Sequence, residues 1–193
     1  KAYLMDDTLY IAAHAAKNKK MAEYDALMTY YMLFSPPDKP EPIPFVAFNL
    51  LKANEMTRMK DLLKVAISKL GFNSGNAWEF FDYLAEDINL HLLDDFLDAM
   101  PEFVNNDVLL EGYIKSFVYN TCMVLWMKLA SYLDADPKFY RLSIARMVTT
   151  AIKTCLKYGR LALLELVLEY AKTHNTTLPQ ESIDLLKTNG ISY

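Results

Sequence analysis

Apolar residues recur along this chain at intervals of three and four positions. One such stripe consists of Met59, Leu62, Leu63, Ala66 and Leu70. This spacing places the five side chains on one face of an α-helix, because a helix turns once in about 3.6 residues. No stretch alternates apolar and polar residues for long enough to predict a β-strand. The pattern therefore predicts an all-α protein.

Clusters of Pro, Gly, Asn, Asp and Ser interrupt the helical pattern, and these residue types favour turns. The clusters lie at residues 35–44, 71–76, 100–101, 134–137 and 175–179. Each block between two clusters contains two short helical stretches with a weak interruption between them. The predicted helix pairs are 8–17 with 22–34, 45–53 with 57–70, 77–85 with 90–100, 107–119 with 123–133, and 142–158 with 161–173.

The beginning of the second helix recurs about every 35 residues. The first apolar residues after the interruptions are Met21, Met56, Leu90, Cys122 and Leu161, at spacings of 35, 34, 32 and 39 residues. A helix pair of this size cannot bury its own apolar face, and stacked neighbours complete the core. We therefore expect one α-solenoid of about five antiparallel helix pairs. Its repeats are 8–44, 45–76, 77–106, 107–141 and 142–179, with a tail helix in 180–193.

The fifth block resembles a known repeat family. Its segment from Met147 to Leu161, MVTTAIKTCLKYGRL, is similar to the pentatricopeptide repeat, in which the first helix closes on a turn of the Lys-x-Gly-Arg kind. The second helix, over 161–173, and the turn that contains Pro179 extend the resemblance. The first and second blocks look similar at their own turns. The Leu-Gly of the tetratricopeptide pattern does not follow either tryptophan in register.

The resemblance implies a fold and a function. It implies a right-handed superhelix whose first helices bind RNA, in an organellar assembly for RNA processing or translation, and hence a mitochondrial location. A residue near the beginning of each first helix would contact a base, and in the fifth block this position maps near Thr149. In the first two blocks it falls near Leu9 and Pro44, whose side chains cannot hydrogen-bond to a base.

Lysine occurs at the same register in three blocks. Lys17, Lys52 and Lys157 each lie four positions before the second helix, and Lys153 and Arg146 add charge to the fifth block. Cations in line along one face could contact the phosphates of single-stranded RNA. The alternative interpretation is a solvated last helical turn, where a cation stabilises the negative end of the helix dipole.

The charge balance is acidic, with 20 Lys and Arg against 24 Asp and Glu and a net charge of −4. Such a balance speaks against a DNA partner, because duplex binders carry a basic footprint. Acidic residues gather at Asp94, Asp95 and Asp98, where Asp94 and Asp98 share a helix face. We regard this segment, and the Pro-rich loop 36–44, as candidate surfaces for docking a protein. The alternative for the aspartates is a solvated acidic face.

Catalytic, metal and cofactor motifs are missing from the sequence. It contains no Gly-rich phosphate loop, no CxxC and no HExxH. Two cysteines in helical contexts, Cys122 and Cys155, are expected to be free thiols. No apolar run reaches the roughly 20 residues that a membrane helix requires. We therefore expect no enzyme, no cofactor, no metal and no membrane insertion.

Two hypotheses about function follow. The first is a divergent pentatricopeptide-like module that contacts single-stranded RNA, the protein subunits of a ribonucleoprotein, or both. The second is a protein-binding scaffold, such as a tetratricopeptide-like adaptor or a subunit of a large complex, with no RNA contact. The lysines in register favour the first hypothesis, and the acidic net charge favours the second.

Overall fold

The structure is a computed structural model, and it describes residues 2–34, 42–136 and 140–192. Within these ranges the chain forms eleven α-helices and two short 3-10 helices, Asp87–Asn89 and Pro101–Asn105, and no strand. The α-helices are α1 Ala2–Lys17, α2 Met21–Phe34, α3 Ile43–Lys52, α4 Met56–Lys69, α5 Ser74–Ala85, α6 Leu90–Ala99, α7 Asp107–Asn120, α8 Met123–Asp134, α9 Arg141–Lys157, α10 Leu161–Thr173 and α11 Gln180–Thr188. The all-α prediction is confirmed. Most of the Pro-rich loop proposed for docking lies outside the described residues.

The turns of four of the five helix pairs share one hydrogen-bond pattern. A residue with positive φ follows the first helix, and the next N–H donates to a carbonyl five residues back, which is the Schellman arrangement. The positive-φ residues are Lys19, Asn54, Thr121 and Gly159. The bonds that follow them are Lys20 N to Ala15 O (2.8 Å), Glu55 N to Leu50 O (2.9 Å), Cys122 N to Phe117 O (3.0 Å) and Arg160 N to Cys155 O (2.8 Å). In the remaining pair, α5 is followed by Glu86 with φ −66°, and the 3-10 helix Asp87–Asn89 leads into α6.

Helix α8 begins at Met123, as predicted, and Cys122, the first apolar residue after the interruption, precedes it as the N-cap residue. The left-handed residue of this turn is Thr121, with φ 54°. The second helices begin at Met21, Met56, Leu90, Met123 and Leu161, which gives intervals of 35, 34, 33 and 38 residues. The repeat is therefore more regular than the apolar pattern alone predicts.

The chain divides into two compact units, Lys1–Pro101 and Glu102–Tyr193, which we call the N-terminal and C-terminal units. In the N-terminal unit, α3 packs between α1 and α5, and the second helices α2, α4 and α6 pack on α1, α3 and α5. In the C-terminal unit, α9 packs on α7 and α11, and α8 and α10 pack on α7 and α9. Within each unit these contacts fit a helical-repeat arrangement.

Aromatic residues fill the core of each unit. In the N-terminal unit Phe80, Phe81 and Phe96 are fully buried, with ring centroids 5.2 to 5.5 Å apart. In the C-terminal unit the Phe117 ring stacks on Trp126 at 5.2 Å. These clusters bury large apolar surfaces, which is the dominant favourable contribution to folding.

Candidate binding surface on the first helices

The first helices of the N-terminal unit expose a narrow row of aromatic rings. On α3 every residue is buried except Phe45 and Lys52, because α1, α4 and α5 pack around it. The Phe45 ring lies 6.5 Å from Tyr10 of α1 and 6.1 Å from Tyr83 of α5. Phe48, buried beneath, stacks on Tyr83 at 5.2 Å. We call Tyr10, Phe45, Phe48 and Tyr83 the aromatic strip.

A carboxylate fixes one end of the aromatic strip. The Tyr83 hydroxyl donates a hydrogen bond of 3.0 Å to Glu79 Oε1, one turn earlier on α5. Burial of the ring, followed by this hydrogen bond, raises the pKa of Tyr83 to about 12. The hydroxyl therefore stays protonated at neutral pH and holds the Glu79 carboxylate next to the ring. Tyr10 is 53% exposed and presents a free ring surface beside this pair.

Lys17 and Lys52 lie in the last turns of α1 and α3, two helices that pack side by side. Both side chains are exposed, and within the described ranges neither forms an ion pair. Lys52 Nζ lies 5.2 Å from the centroid of Phe48, a distance at which an ammonium is attracted to a ring face. The structure thus places Lys52 against the aromatic strip, and Lys17 in the last turn of the neighbouring helix.

The predicted cations of the C-terminal unit lie on α9. Arg146 forms an ion pair with Asp107 and donates a hydrogen bond of 3.1 Å to the Asn105 carbonyl. Lys153 Nζ lies 3.0 Å from Glu181 Oε1. These pairs tie α9 to the beginnings of α7 and α11. Two of the three predicted phosphate contacts of this block are therefore already paired with carboxylates.

The other two candidates of the block occupy different surroundings. Lys157 is exposed in the last turn of α9, with Nζ 5.6 Å from the Tyr158 ring centroid. Thr149 is half-buried and lines a groove of about 460 Å³ together with Arg146 and Pro179. The side chain of Thr149 can donate and accept a hydrogen bond in this groove.

A second groove, of about 330 Å³, lies between α7 and α9 and carries charges of both signs. Its lining includes Asp107, Glu111, Lys115, Lys153 and Lys157. Lys115 Nζ lies 2.8 Å from Glu111 Oε1. The groove is therefore mixed in charge and does not form a uniformly basic track.

Asp94, Asp95 and Asp98 are exposed on α6, opposite the buried Phe96 and Leu97. Carboxylates near the end of a helix oppose its dipole, because that end is negative. Lys60 of α4 donates a hydrogen bond of 2.7 Å to the carbonyl of Ala99, the last residue of α6. This bond brings a positive charge to the negative end of the helix. The segment is accessible to a partner, and its docking role remains a prediction.

The aromatic strip does not appear in the sequence as a cluster, unlike the neighbouring aromatic residues Tyr30 and Tyr31, Phe80 and Phe81, and Phe117 and Tyr119. Of those residues, Tyr31, Phe80, Phe81 and Phe117 belong to the core. The remaining two, Tyr30 and Tyr119, are about half exposed, on α2 and α7. The repeat period holds the missing signal: Tyr10 and Phe45 are 35 residues apart, and so are Phe48 and Tyr83.

Cys122 and Cys155 are free thiols. Burial raises the pKa of Cys155 to about 12, which makes it a poor nucleophile at neutral pH. Among the described residues, no group of three or more His, Cys, Asp and Glu side chains is arranged to hold a metal ion. Across the same residues, no helix has the length and apolar character needed to span a bilayer.

Comparison with family models, with curated proteins and with solved structures finds no match for this chain. The resemblance to the pentatricopeptide repeat therefore remains a prediction that rests on residues of the first, second and fifth blocks.

Proposed function

We propose that this chain is a helical-repeat module that binds a segment of a partner protein on its first helices. The pairing of charge in the C-terminal unit carries the proposal. Arg146 and Lys153, which would be the phosphate contacts of an RNA-binding surface, are held by Asp107 and Glu181. Paired charges of this kind are compatible with the polar rim of a protein interface.

Electrostatics disfavours RNA at this surface. RNA binding gains free energy when cations replace the counterions of the phosphates. A cation that already pairs with a carboxylate must first lose that partner, and the released carboxylate then repels the phosphate. The groove between α7 and α9 also contains Glu111, so the negative charges of its acidic groups offset the positive charges of its lysines. A polypeptide, which carries charges of both signs, fits such a groove better.

The aromatic strip supports the same proposal for the N-terminal unit. Tyrosine and other aromatic side chains are enriched at protein interfaces, where they provide large contact areas at a low cost in conformational entropy. Tyr10 is about half exposed to a ligand, and Phe45 and Tyr83 are half-buried. Its rings are held in place by their mutual contacts, which limits the entropy lost on binding.

Photo-crosslinking in the cells that make the protein tests the proposal. Benzoylphenylalanine replaces Lys157 on the first-helix surface or, as a control, Met127, which is 63% exposed on the second helix α8. We expect an adduct from position 157 that protease removes and nuclease leaves intact, and no such adduct from position 127. Adducts that nuclease destroys, or equal protein adducts from both positions, would contradict the proposal.

A second candidate function is contact with single-stranded RNA through the N-terminal unit, as part of an organellar ribonucleoprotein in the mitochondrion. The observation that favours it is Lys52, which lies against Phe48 of the aromatic strip, with Lys17 in the last turn of the neighbouring helix; within the described residues neither lysine forms an ion pair. Rings that stack on bases and lysines that meet phosphates form the usual surface for single strands. The mitochondrial location follows from the family resemblance alone.

This candidate has its own test. Reversal of charge at Lys17, Lys52 and Lys157 together should abolish retention of labelled single-stranded RNA at low salt, if the lysines bind it. The matched control reverses three other exposed lysines, Lys64, Lys69 and Lys187. Retention that the first triple variant leaves unchanged, or that both variants reduce equally, excludes a specific role for the lysines in register.

A further inference from the structure

The aromatic strip combines two groups that together attract cations. Glu79 Oε1 lies 3.0 Å from the Tyr83 hydroxyl, and Tyr10 offers an accessible ring face nearby. The Phe45 ring lies between the two tyrosines, 6.5 Å from Tyr10 and 6.1 Å from Tyr83. A ring face attracts a positive charge through its quadrupole, and an adjacent carboxylate adds direct attraction.

The protein itself shows that these rings accept a cation. The Lys52 ammonium lies 5.2 Å from the centroid of Phe48, whose ring also stacks on Tyr83. Lys52 follows Phe48 by one helical turn on α3, whereas Glu79 precedes Tyr83 by one turn on α5. The Tyr83 ring and the Glu79 carboxylate are therefore available to bind a cation from another molecule.

We infer that the aromatic strip and Glu79 bind an arginine side chain of the partner segment. The inference rests on the proposed function and names the chemistry of its ligand. A guanidinium is planar, so it stacks on the ring of Tyr10 or Tyr83 while its N–H groups reach a carboxylate. An ammonium lacks the plane, and a phosphate or an acidic side chain would meet repulsion from Glu79.

Nuclear magnetic resonance of the intact chain with Nα-acetyl-L-arginine amide as the probe tests this inference. We expect saturable shifts of the Tyr10 and Tyr83 ring signals at millimolar probe. The citrulline analogue, which has the same shape without the charge, should bind about fivefold more weakly. Glu79→Gln should weaken binding of the arginine probe about fivefold, while Glu165→Gln on α10, also an exposed glutamate, should leave it unchanged.

Tyr83→Phe separates the ring from the hydroxyl. This variant keeps the stacking surface and should retain binding, whereas Tyr83→Ala should lose it, with folding checked by the signals of the core residues of the N-terminal unit and by circular dichroism. Equal binding of the citrulline analogue, no effect of Glu79→Gln, or no saturable shift with the arginine probe would overturn the inference. Protein adducts at position 157 would still support the proposed function in that event, so the two failures are distinguishable.

Discussion

In four of the five helix pairs a residue in the left-handed conformation follows the first helix, and its identity differs between the turns. Gly159, at φ 64°, has no Cβ and accepts this conformation without strain. Thr121, at φ 54°, is β-branched and pays a steric cost for the same hydrogen-bond pattern. The turns are thus equivalent in geometry and unequal in backbone energy.

Substitutions at these two residues should change stability in opposite directions. Gly159→Ala should lower the free energy of unfolding by about 1 kcal/mol. The cost is purely conformational, because no heavy atom lies within 4 Å of the added Cβ. Thr121→Gly should raise the free energy of unfolding by about 0.5 kcal/mol, since relief of strain in the folded chain exceeds the effect of the added freedom of the unfolded chain. Urea unfolding at neutral pH measures both changes. A Gly159→Ala variant as stable as the wild type would show that this turn carries no left-handed requirement.

At the scale of elements, an arginine links α2 and α4, the second helices of the first two pairs. Arg58 of α4 donates two hydrogen bonds of 2.8 Å to the carboxylate of Asp25 on α2, and a third, of 2.7 Å, to Glu55. The hydrogen bonds from Arg58 hold the pKa of Asp25 below its ordinary value of 3.8. Both side chains are substantially exposed, so solvent screens the pair and its contribution to stability is small.

This pair should make stability depend on pH in acid. The lowered pKa of Asp25 means that the stabilisation is present above pH 3.8 and is lost as pH falls through the native pKa. Asp25→Asn removes this dependence, so the stability difference between wild type and variant should shrink below pH 3.8. Thermal unfolding of wild type and variant, measured from neutral pH into acid, checks this expected change in the stability difference. The control Asp61→Asn, also exposed on α4, should show no such change. A difference that stays constant with pH would argue against the link.

The elements also show how far the sequence predicts this structure. The spacing of apolar residues along the chain predicted every helix pair. Each helix buries one face, and apolar residues therefore recur at intervals of three and four positions. The same pattern predicted the beginning of α8 at residue 123, which the structure confirms. The aromatic strip could not be recognised from local pattern, because its rings meet only when α1, α3 and α5 pack side by side. The pairing of Arg146 with Asp107, 39 residues apart, requires the same packing.

At the scale of the whole molecule, the first-helix surfaces of the two units differ in chemistry. The N-terminal unit presents aromatic rings with Lys17 and Lys52, and the C-terminal unit presents cations paired with carboxylates. The net charge of −4 agrees with this distribution, since lysines in register do not produce a basic surface when acidic residues accompany them. Sequence register alone could not reveal that Arg146 and Lys153 have partners.

The affinity for single-stranded RNA as a function of salt tests the central claim most directly. The wild type is compared with the double variant Asp107→Asn, Glu181→Gln, which frees Arg146 and Lys153. A control variant, Glu165→Gln with Glu169→Gln, removes two other exposed carboxylates, on α10. We predict weak binding by the wild type and the control. The freed variant should bind more tightly, with a logarithmic salt slope steeper by about 1.4, because each cation adds about 0.7. Tight, strongly salt-dependent binding by the wild type, unchanged in the freed variant, would contradict the account.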